Sequence, residues 1–169
     1  MDRASLTVRS ARRDDVPAIV RLLADDLLGG HREQVEEPVA PIYLRAFDEM
    51  AEQPGNELLV AVRDDEIIGC LQLTIIAGLS RAGVRRAQLE GVRVSTGQRG
   101  ARVGEQLVEA AIARARAAGC GLVQLTSDAA RMDARRFYER LGFAATHVGM
   151  KLSLTDGRHA RQAEAHDER

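Results

Sequence analysis

Hydrophobic and polar positions along the chain change period several times, and each change marks an element. Leu6, Val8 and Ser10 alternate with polar neighbours and predict a short first strand. Asp14 then supplies a helix cap, and Pro17 falls in the first turn, where a missing N–H is tolerated. Val16, Ile19, Val20, Leu23 and Leu27 form one apolar face, which Gly29-Gly30 ends. The polar stretch from His31 to Pro41 leads to a second helical segment carrying Tyr43, Leu44, Phe47 and Met50, closed by Pro54-Gly55.

From there the pattern becomes extended. Leu58 to Val62 reads as a strand, Arg63-Asp64-Asp65-Glu66 as a hairpin turn, and Ile67 to Ile76 as a longer strand running back antiparallel. After a loop with Gly78 and Gly83, Ala87 to Val94 is a further strand with Leu89, Val92 and Val94 as its apolar side chains. A Gly/Arg-rich loop, Ser95 to Gly104, runs into a helix from Val103 to Ala118 whose apolar face is Val103, Leu107, Val108, Ala111, Ile112 and Ala115; Gly119 ends it. Leu122 to Thr126 is a strand, Met132 to Leu141 a short helix, and Ala144 to Leu154 a last strand. The order βααβββαβαβ predicts one α/β (α+β) domain over residues 1–154, with a mixed, mostly antiparallel sheet flanked by helices. Residues 155–169 read as a polar, disordered tail.

Composition narrows the function classes. A chain of 169 residues can bury about two thirds of its unfolded surface without disulfides. Cys70 and Cys120 sit among apolar neighbours and read as buried free thiols, while His31, His147, His159 and His166 lack metal-ligand spacing, so no metal is expected. With 24 basic and 25 acidic residues and 3% aromatics, the chain offers neither a global field nor stacking platforms for nucleic acid. No apolar run approaches the roughly 18 residues a membrane span needs, and MDRASLTVRS lacks a signal-peptide core, so a soluble cytoplasmic protein is expected.

The informative chemistry lies in Gln98-Arg99-Gly100-Ala101-Arg102-Val103-Gly104-Glu105. A loop that leaves a strand and opens a helix gathers free N–H groups and the positive end of the helix dipole at one place, which favours an anion. Gly100 and Gly104 permit close approach, and Arg99 and Arg102 can fork onto phosphate oxygens. G-x-x-x-x-G-K-[ST] is absent and the glycine spacing does not meet G-x-G-x-x-G, which excludes the two commonest phosphate loops. The loop alone is equally compatible with an ordinary strand-to-helix turn with solvated arginines.

Leu89-Glu90-Gly91-Val92-Arg93-Val94 followed by Gln98 to Gly104 resembles the acyl-CoA motif of the GNAT superfamily, [QR]-x-x-G-x-[GA], with Arg99, Ala101, Arg102 and Gly104 in its frame. Ala134-Arg135-Arg136-Phe137-Tyr138-Glu139-Arg140-Leu141-Gly142-Phe143 resembles the family's later A-x-x-F-Y-x-x-x-G-F element. Two positions depart: Arg102 stands where the family usually has glycine, and Arg131 where the second element often has asparagine.

The resemblance implies a GNAT fold and an N-acetyltransferase with acetyl-CoA as cosubstrate. It places Val92, Arg93 and Val94 along the pantetheine arm, and Arg99, Gly100, Ala101, Arg102, Val103, Gly104 and Glu105 around the pyrophosphate. The Val92 N–H would polarise the thioester carbonyl. Acetyl transfer needs a base for the ammonium and a proton for the leaving thiolate. Glu90, in a largely apolar strand where burial would raise its pKa, is either that base or a strand carboxylate paired with Arg86 or Arg93. Tyr138 is either the proton donor, in contact with CoA, or an amphipathic core tyrosine.

The first two helices and their connection usually shape the family's acceptor pocket. Here Asp25, Asp26, Glu33, Glu36 and Glu37 outweigh His31 and Arg32, a balance that suits a cationic amine or else a solvated helix face. A small-molecule or peptide amine acceptor is expected, with another acyl-CoA or a non-catalytic CoA sensor as the alternatives. The long final strand suggests a homodimer.

Overall fold

The computed structural model describes residues 5–26 and 30–154 and divides into two compact units, Met1–Ala129 and Ala130–Arg169. The expected tail 155–169, and Leu27 and Gly29 of the first helix, lie outside the described residues.

The first unit is built on a five-stranded sheet in the order β1-β2-β3-β4-β5: β1 is Thr7–Ser10, β2 Asn56–Arg63, β3 Glu66–Ile76, β4 Arg85–Val94 and β5 Cys120–Leu125. Pairing is antiparallel from β1 to β4 and parallel between β4 and β5, so the sheet is mixed and mostly antiparallel, as the pattern predicts. A two-residue turn joins β2 to β3, with Asp64 and Asp65 at φ of 52° and 61°; two left-handed residues match the twist of the flanking strands.

Period two then decides what covers each face of the sheet. On one face Leu59, Ala61, Leu71, Leu73, Ala87 and Leu89 meet the long helix Val103–Ala117, which buries Val103, Leu107, Val108, Ala111 and Ala115. Each fully buried leucine there contributes about 1.5–3 kcal/mol. Gly69 lets the helix sit close: a Cβ would come within 2.9 Å of Leu107 Cδ1 and 3.2 Å of Val103 Cγ1. On the other face Ile19 and Leu22 of the first helix, Val16–Ala24, pack on Val60 and Cys70. Val16 and Val20 of that helix meet Val39, Tyr43, Leu44 and Phe47, which ties in the second helix, Pro41–Glu52.

Both ends of the first helix differ from the pattern. Its entry is a 3-10 turn, Arg13–Asp15, in which Asp15 rather than Asp14 does the capping, accepting the Arg12 N–H at 2.7 Å. Its last residue is Ala24, because Asp25 and Asp26 are turned away toward Thr96 and Arg93. The long helix ends as expected, with Gly119 in the left-handed region at φ 74°.

The second unit contains the last helix, Met132–Arg140, closed by a C-terminal motif in which Gly142 takes φ 89° and the Phe143 N–H returns to the Tyr138 carbonyl. The strand expected over Ala144 to Leu154 is not formed. Those residues are exposed, Val148 by 90% and Met150 by 93%, and among the described residues no strand pairs with them; an extended segment becomes a strand only with a ladder partner.

Candidate active site

In β4 the register slips by one residue: Cys70 faces Arg93 and Gln72 faces Glu90, so Gly91 and Val92 together oppose the single Leu71. This is a bulge, and Gly91 takes the left-handed conformation it requires, at φ 59°. Just before the bulge the two parallel strands part, since β5 pairs with β4 only as far as Leu89 opposite Leu125. From Glu90 to Val94 the β5-facing edge of β4 is therefore unpaired in this sheet. The Ser95 N–H donates to Ile68 at 2.9 Å, so by strand alternation the N–H and C=O of Val94 face that open edge. An extended polar chain can add there as a strand would.

Beyond Val94 the chain makes a 3-10 turn, Thr96–Gln98, and then enters the long helix. Among the described residues, backbone hydrogen bonds occupy the amides of Gln98, Arg99 and Ala101 but not those of Gly100, Arg102, Val103 or Gly104. Among the described residues, and apart from each glycine's immediate chain neighbours, no atom lies within 4 Å of where a Cβ would stand at Gly97 or Gly100. Unused amides, open space and a helix N-terminus together make a cradle that fits a pyrophosphate.

Arg102 explains its own departure from the family pattern. It is the N-terminal cap of the helix at φ 60°, the left-handed geometry for which glycine is the usual residue, at a cost of about 1–2 kcal/mol for any other side chain. Its guanidinium is held by Glu105 at 2.6 Å, so its charge is shared with a carboxylate rather than fully available to a phosphate.

Three polar links fix the loop and β4. Asp25 accepts from both the Thr96 N–H at 2.9 Å and the Thr96 hydroxyl at 2.8 Å. Those bonds, the hydroxyl first, with Arg99 adding its charge, hold the Asp25 carboxyl below the usual range. Asp26, only 5% exposed, takes Arg93 Nη2 at 2.9 Å. Arg63 Nη1 donates to Gln98 Oε1 at 2.7 Å. The Nε atoms of Arg63 and Arg93 are buried and, among the described residues, without a partner.

These links revise the acidic acceptor rim. Asp25 and Asp26 serve the loop and β4, Glu33 accepts the Tyr43 hydroxyl at 2.9 Å, and Glu37 lies 3.7 Å from Arg21. Asp26 is thus neutralised by Arg93 and Glu37 has Arg21 nearby, while Asp25 and Glu33 keep their charge but are committed to neutral hydrogen-bond donors. The loop is legible in the sequence but its anchors are not, because Asp25 and Thr96 are 71 positions apart and nothing local couples them.

Glu90 lies at the bulge and is exposed, so the burial expected for it in an apolar strand is missing. Neither alternative pairing forms: Arg93 is taken by Asp26, and among the described residues Glu90 has no ion pair. Tyr138 stands in the second unit, on the last helix, with its ring edge-on to Phe137 at 5.0 Å and to Phe143 at 5.7 Å. Cys70 is buried and free; Cys120 is free but only half-buried. Among the described residues no group of three His, Cys, Asp or Glu is placed to hold a metal ion, and no helix is long and apolar enough to cross a membrane.

Comparison with known proteins defines the class. Residues 18–143 match the Acetyltransferase (GNAT) family, and the chain belongs to it; acetyltransferases of this family use acetyl-CoA in general. A curated relative, the aminoalkylphosphonate N-acetyltransferase of Salmonella typhimurium, is 32% identical over 101 residues, 60% of this chain and 65% of that protein. The match therefore spans just under two thirds of that relative's length. Among solved structures, one described as a transcriptional regulator from Bacillus halodurans is 47% identical with a TM-score of 0.86, covering 88% of this chain and 99% of that one. A Trypanosoma brucei acetyltransferase is 28% identical with a TM-score of 0.73, covering 89% and 100%.

Proposed function

We propose that the protein is an N-acetyltransferase that moves the acetyl group of acetyl-CoA to a primary amine by direct attack in a ternary complex, and that residues 1–154 work as one catalytic domain. The observation that carries this reading is the open edge of β4 running into a loop whose amides at Gly100, Arg102, Val103 and Gly104 are not used by the backbone. In it, Val92, Arg93 and Val94 line the pantetheine arm, and the segment from Arg99 to Glu105 holds the pyrophosphate. Bound acetyl-CoA supplies an activated thioester and a thiolate leaving group.

The chain's own residues then handle the protons. Glu90, directly or through a water, takes a proton from the acceptor ammonium, so that the nitrogen lone pair is free to form the new C–N bond. The Val92 N–H, at the bulge, hydrogen-bonds the acyl oxygen as negative charge builds on it. The C–S bond breaks, Tyr138 gives its phenolic proton to the sulfur, and the second proton lost by the acylated nitrogen returns through water to restore the phenol. Glu90 is exposed, which leaves room for a water to relay the proton.

The Salmonella relative acts on an aminoalkylphosphonate, which makes that compound class part of the acceptor panel alongside polyamines, amino sugars and peptide amines. The regulator name of the Bacillus relative adds no second reading, since a net charge of -1 and 3% aromatics give nucleic acid little to bind. We also infer that the exposed alternation Val148, Met150, Leu152 and Leu154 is covered by a second copy in a homodimer, which light scattering tests.

A thiol-release assay over the panel tests the reaction. Glu90→Gln should lower kcat by about 10²–10⁴-fold with little change in acetyl-CoA affinity. An unchanged kcat would remove Glu90 as the base, and no thiol release with any amine would reject the transferase reading.

A further inference from the structure

Beside Glu90, the sheet carries a row of side chains that belongs to neither the core nor the cosubstrate cradle. Asn56 faces Thr74, Thr74 faces Gln88, and Gln88 faces Gln124, so four neutral hydrogen-bonding side chains lie in register across β2, β3, β4 and β5. All four are half-buried. In the next row, Gln72 faces Glu90; in the row beyond, Val60, Cys70 and Arg93 align, with Val60 and Cys70 covered by the first helix. The polar rows are on the same face as Glu90, because Gln88 precedes it by two positions, about 6–7 Å along the strand.

The two halves of the row differ in how their hydrogen bonds close. Asn56 accepts from Gln72 Nε2 at 3.0 Å and from the Thr74 hydroxyl at 3.4 Å, and donates to Gln53 at 3.0 Å, so this half is tied to itself. Gln124 Nε2 donates to Gln88 Oε1 at 2.8 Å, and among the described residues the pair makes no other side-chain bond. Two carboxamides that share one hydrogen bond leave one NH₂ group and one carbonyl oxygen over, whichever way the amides are turned. Half-buried groups of that kind favour a partner that both accepts and donates.

We infer that Gln88 and Gln124 form the specificity floor of the acceptor site, and that the acceptor is a primary amine carrying a hydroxyl group, such as an amino alcohol or an amino sugar. The inference rests on the reading of Glu90 as the base: with the ammonium at Glu90, a hydroxyl a few bonds away meets the Gln88–Gln124 pair and satisfies both its donor and its acceptor. An alkylamine of the same shape leaves them unpaired. Specificity of this kind comes from the penalty on the wrong ligand.

The probes are glucosamine and ethanolamine, against cyclohexylamine and ethylamine, in the full-length protein saturated with CoA. In ¹H–¹⁵N spectra the hydroxylated amines should shift the side-chain NH₂ signals of Gln88 and Gln124, and the alkylamines should leave them in place. In turnover, the ratio of kcat/KM for glucosamine to that for cyclohexylamine should fall about tenfold in Gln88→Met, the worth of one neutral hydrogen bond. Rescue by Gln88→Asn would support a hydrogen-bonding role over a packing one. Equal shifts from both classes of amine, no shift from either, or a ratio unchanged in Gln88→Met would overturn the inference. Shifts without any turnover would uphold the floor and reject the transferase reading, so the two claims fail separately.

Discussion

Replacing Asp26 by alanine removes the carboxylate that holds Arg93 Nη2 at 2.9 Å, in a place where Asp26 is 5% exposed and the arginine side chain 28%. Arg93 Nε is already buried without a partner among the described residues, so the variant leaves a half-buried guanidinium poorly satisfied. Breaking a fully buried pair costs about 3–5 kcal/mol, and the remaining solvent access at Arg93 brings the expected loss to about 2–3 kcal/mol. For a chain of this size that lowers Tm by about 4–12 °C, readable by calorimetry or circular dichroism. Because the penalty lies in the orphaned charge, the double variant Asp26→Ala with Arg93→Met should recover at least half of the loss. The pair also joins the end of the first helix to the strand proposed to line the pantetheine arm, so Asp26→Ala should weaken acetyl-CoA binding as well. A Tm change under about 1 °C, or a double variant less stable than Asp26→Ala, would refute this reasoning.

Other outcomes follow from single residues. Arg102→Gly relieves a left-handed backbone and should raise stability by up to about 1 kcal/mol in urea titration, with acetyl-CoA affinity within about threefold of the parent. Burial pushes the Cys70 thiol up to about 12, so in a thiol-reagent assay at pH 8 the half-buried Cys120 should react first and Cys70 only on unfolding. The Arg9 guanidinium, with bonds at 2.6 and 3.0 Å, is the main reason the Asp15 carboxyl lies below its usual range. A carboxyl depressed in the folded state stabilises above its unfolded pKa of about 4, and that stability is lost as pH falls through the folded value. The Tm gap between the parent and Asp15→Asn should therefore be widest near pH 6 and close toward pH 2.

What the chain reveals about itself depends on how local the physics is. The turn at Asp64-Asp65, β4 from Ala87 to Val94 and the helix from Val103 were legible, because each is set by its own periodicity and flanking residues. The segment proposed to hold an anion was legible for the same reason, as a strand, a loop with glycine and a helix start in immediate succession. The early end of the first helix was not, since Asp25 and Asp26 are drawn off by residues 71 and 67 positions away. The exposure of Glu90 was equally hidden: an apolar strand suggests burial, but the bulge at Gly91 and the parting of β5 after Leu125 uncover it. A strand is expected over Ala144 to Leu154, but these exposed residues have no ladder partner among the described residues, and partnering is not set by local sequence. The Gln88–Gln124 pair emerges only from cross-strand register, which no single stretch of sequence carries.

The most direct test of the account is calorimetric titration of the protein with acetyl-CoA, repeated on Gly104→Trp, which places a large side chain in the first turn of the helix that opens the cradle. Binding on the order of micromolar is expected for the parent and its loss in the variant, with the variant's circular dichroism and Tm close to those of the parent. Absence of binding to the parent, or equal binding to a folded Gly104→Trp, would contradict the claim that this loop holds the pyrophosphate.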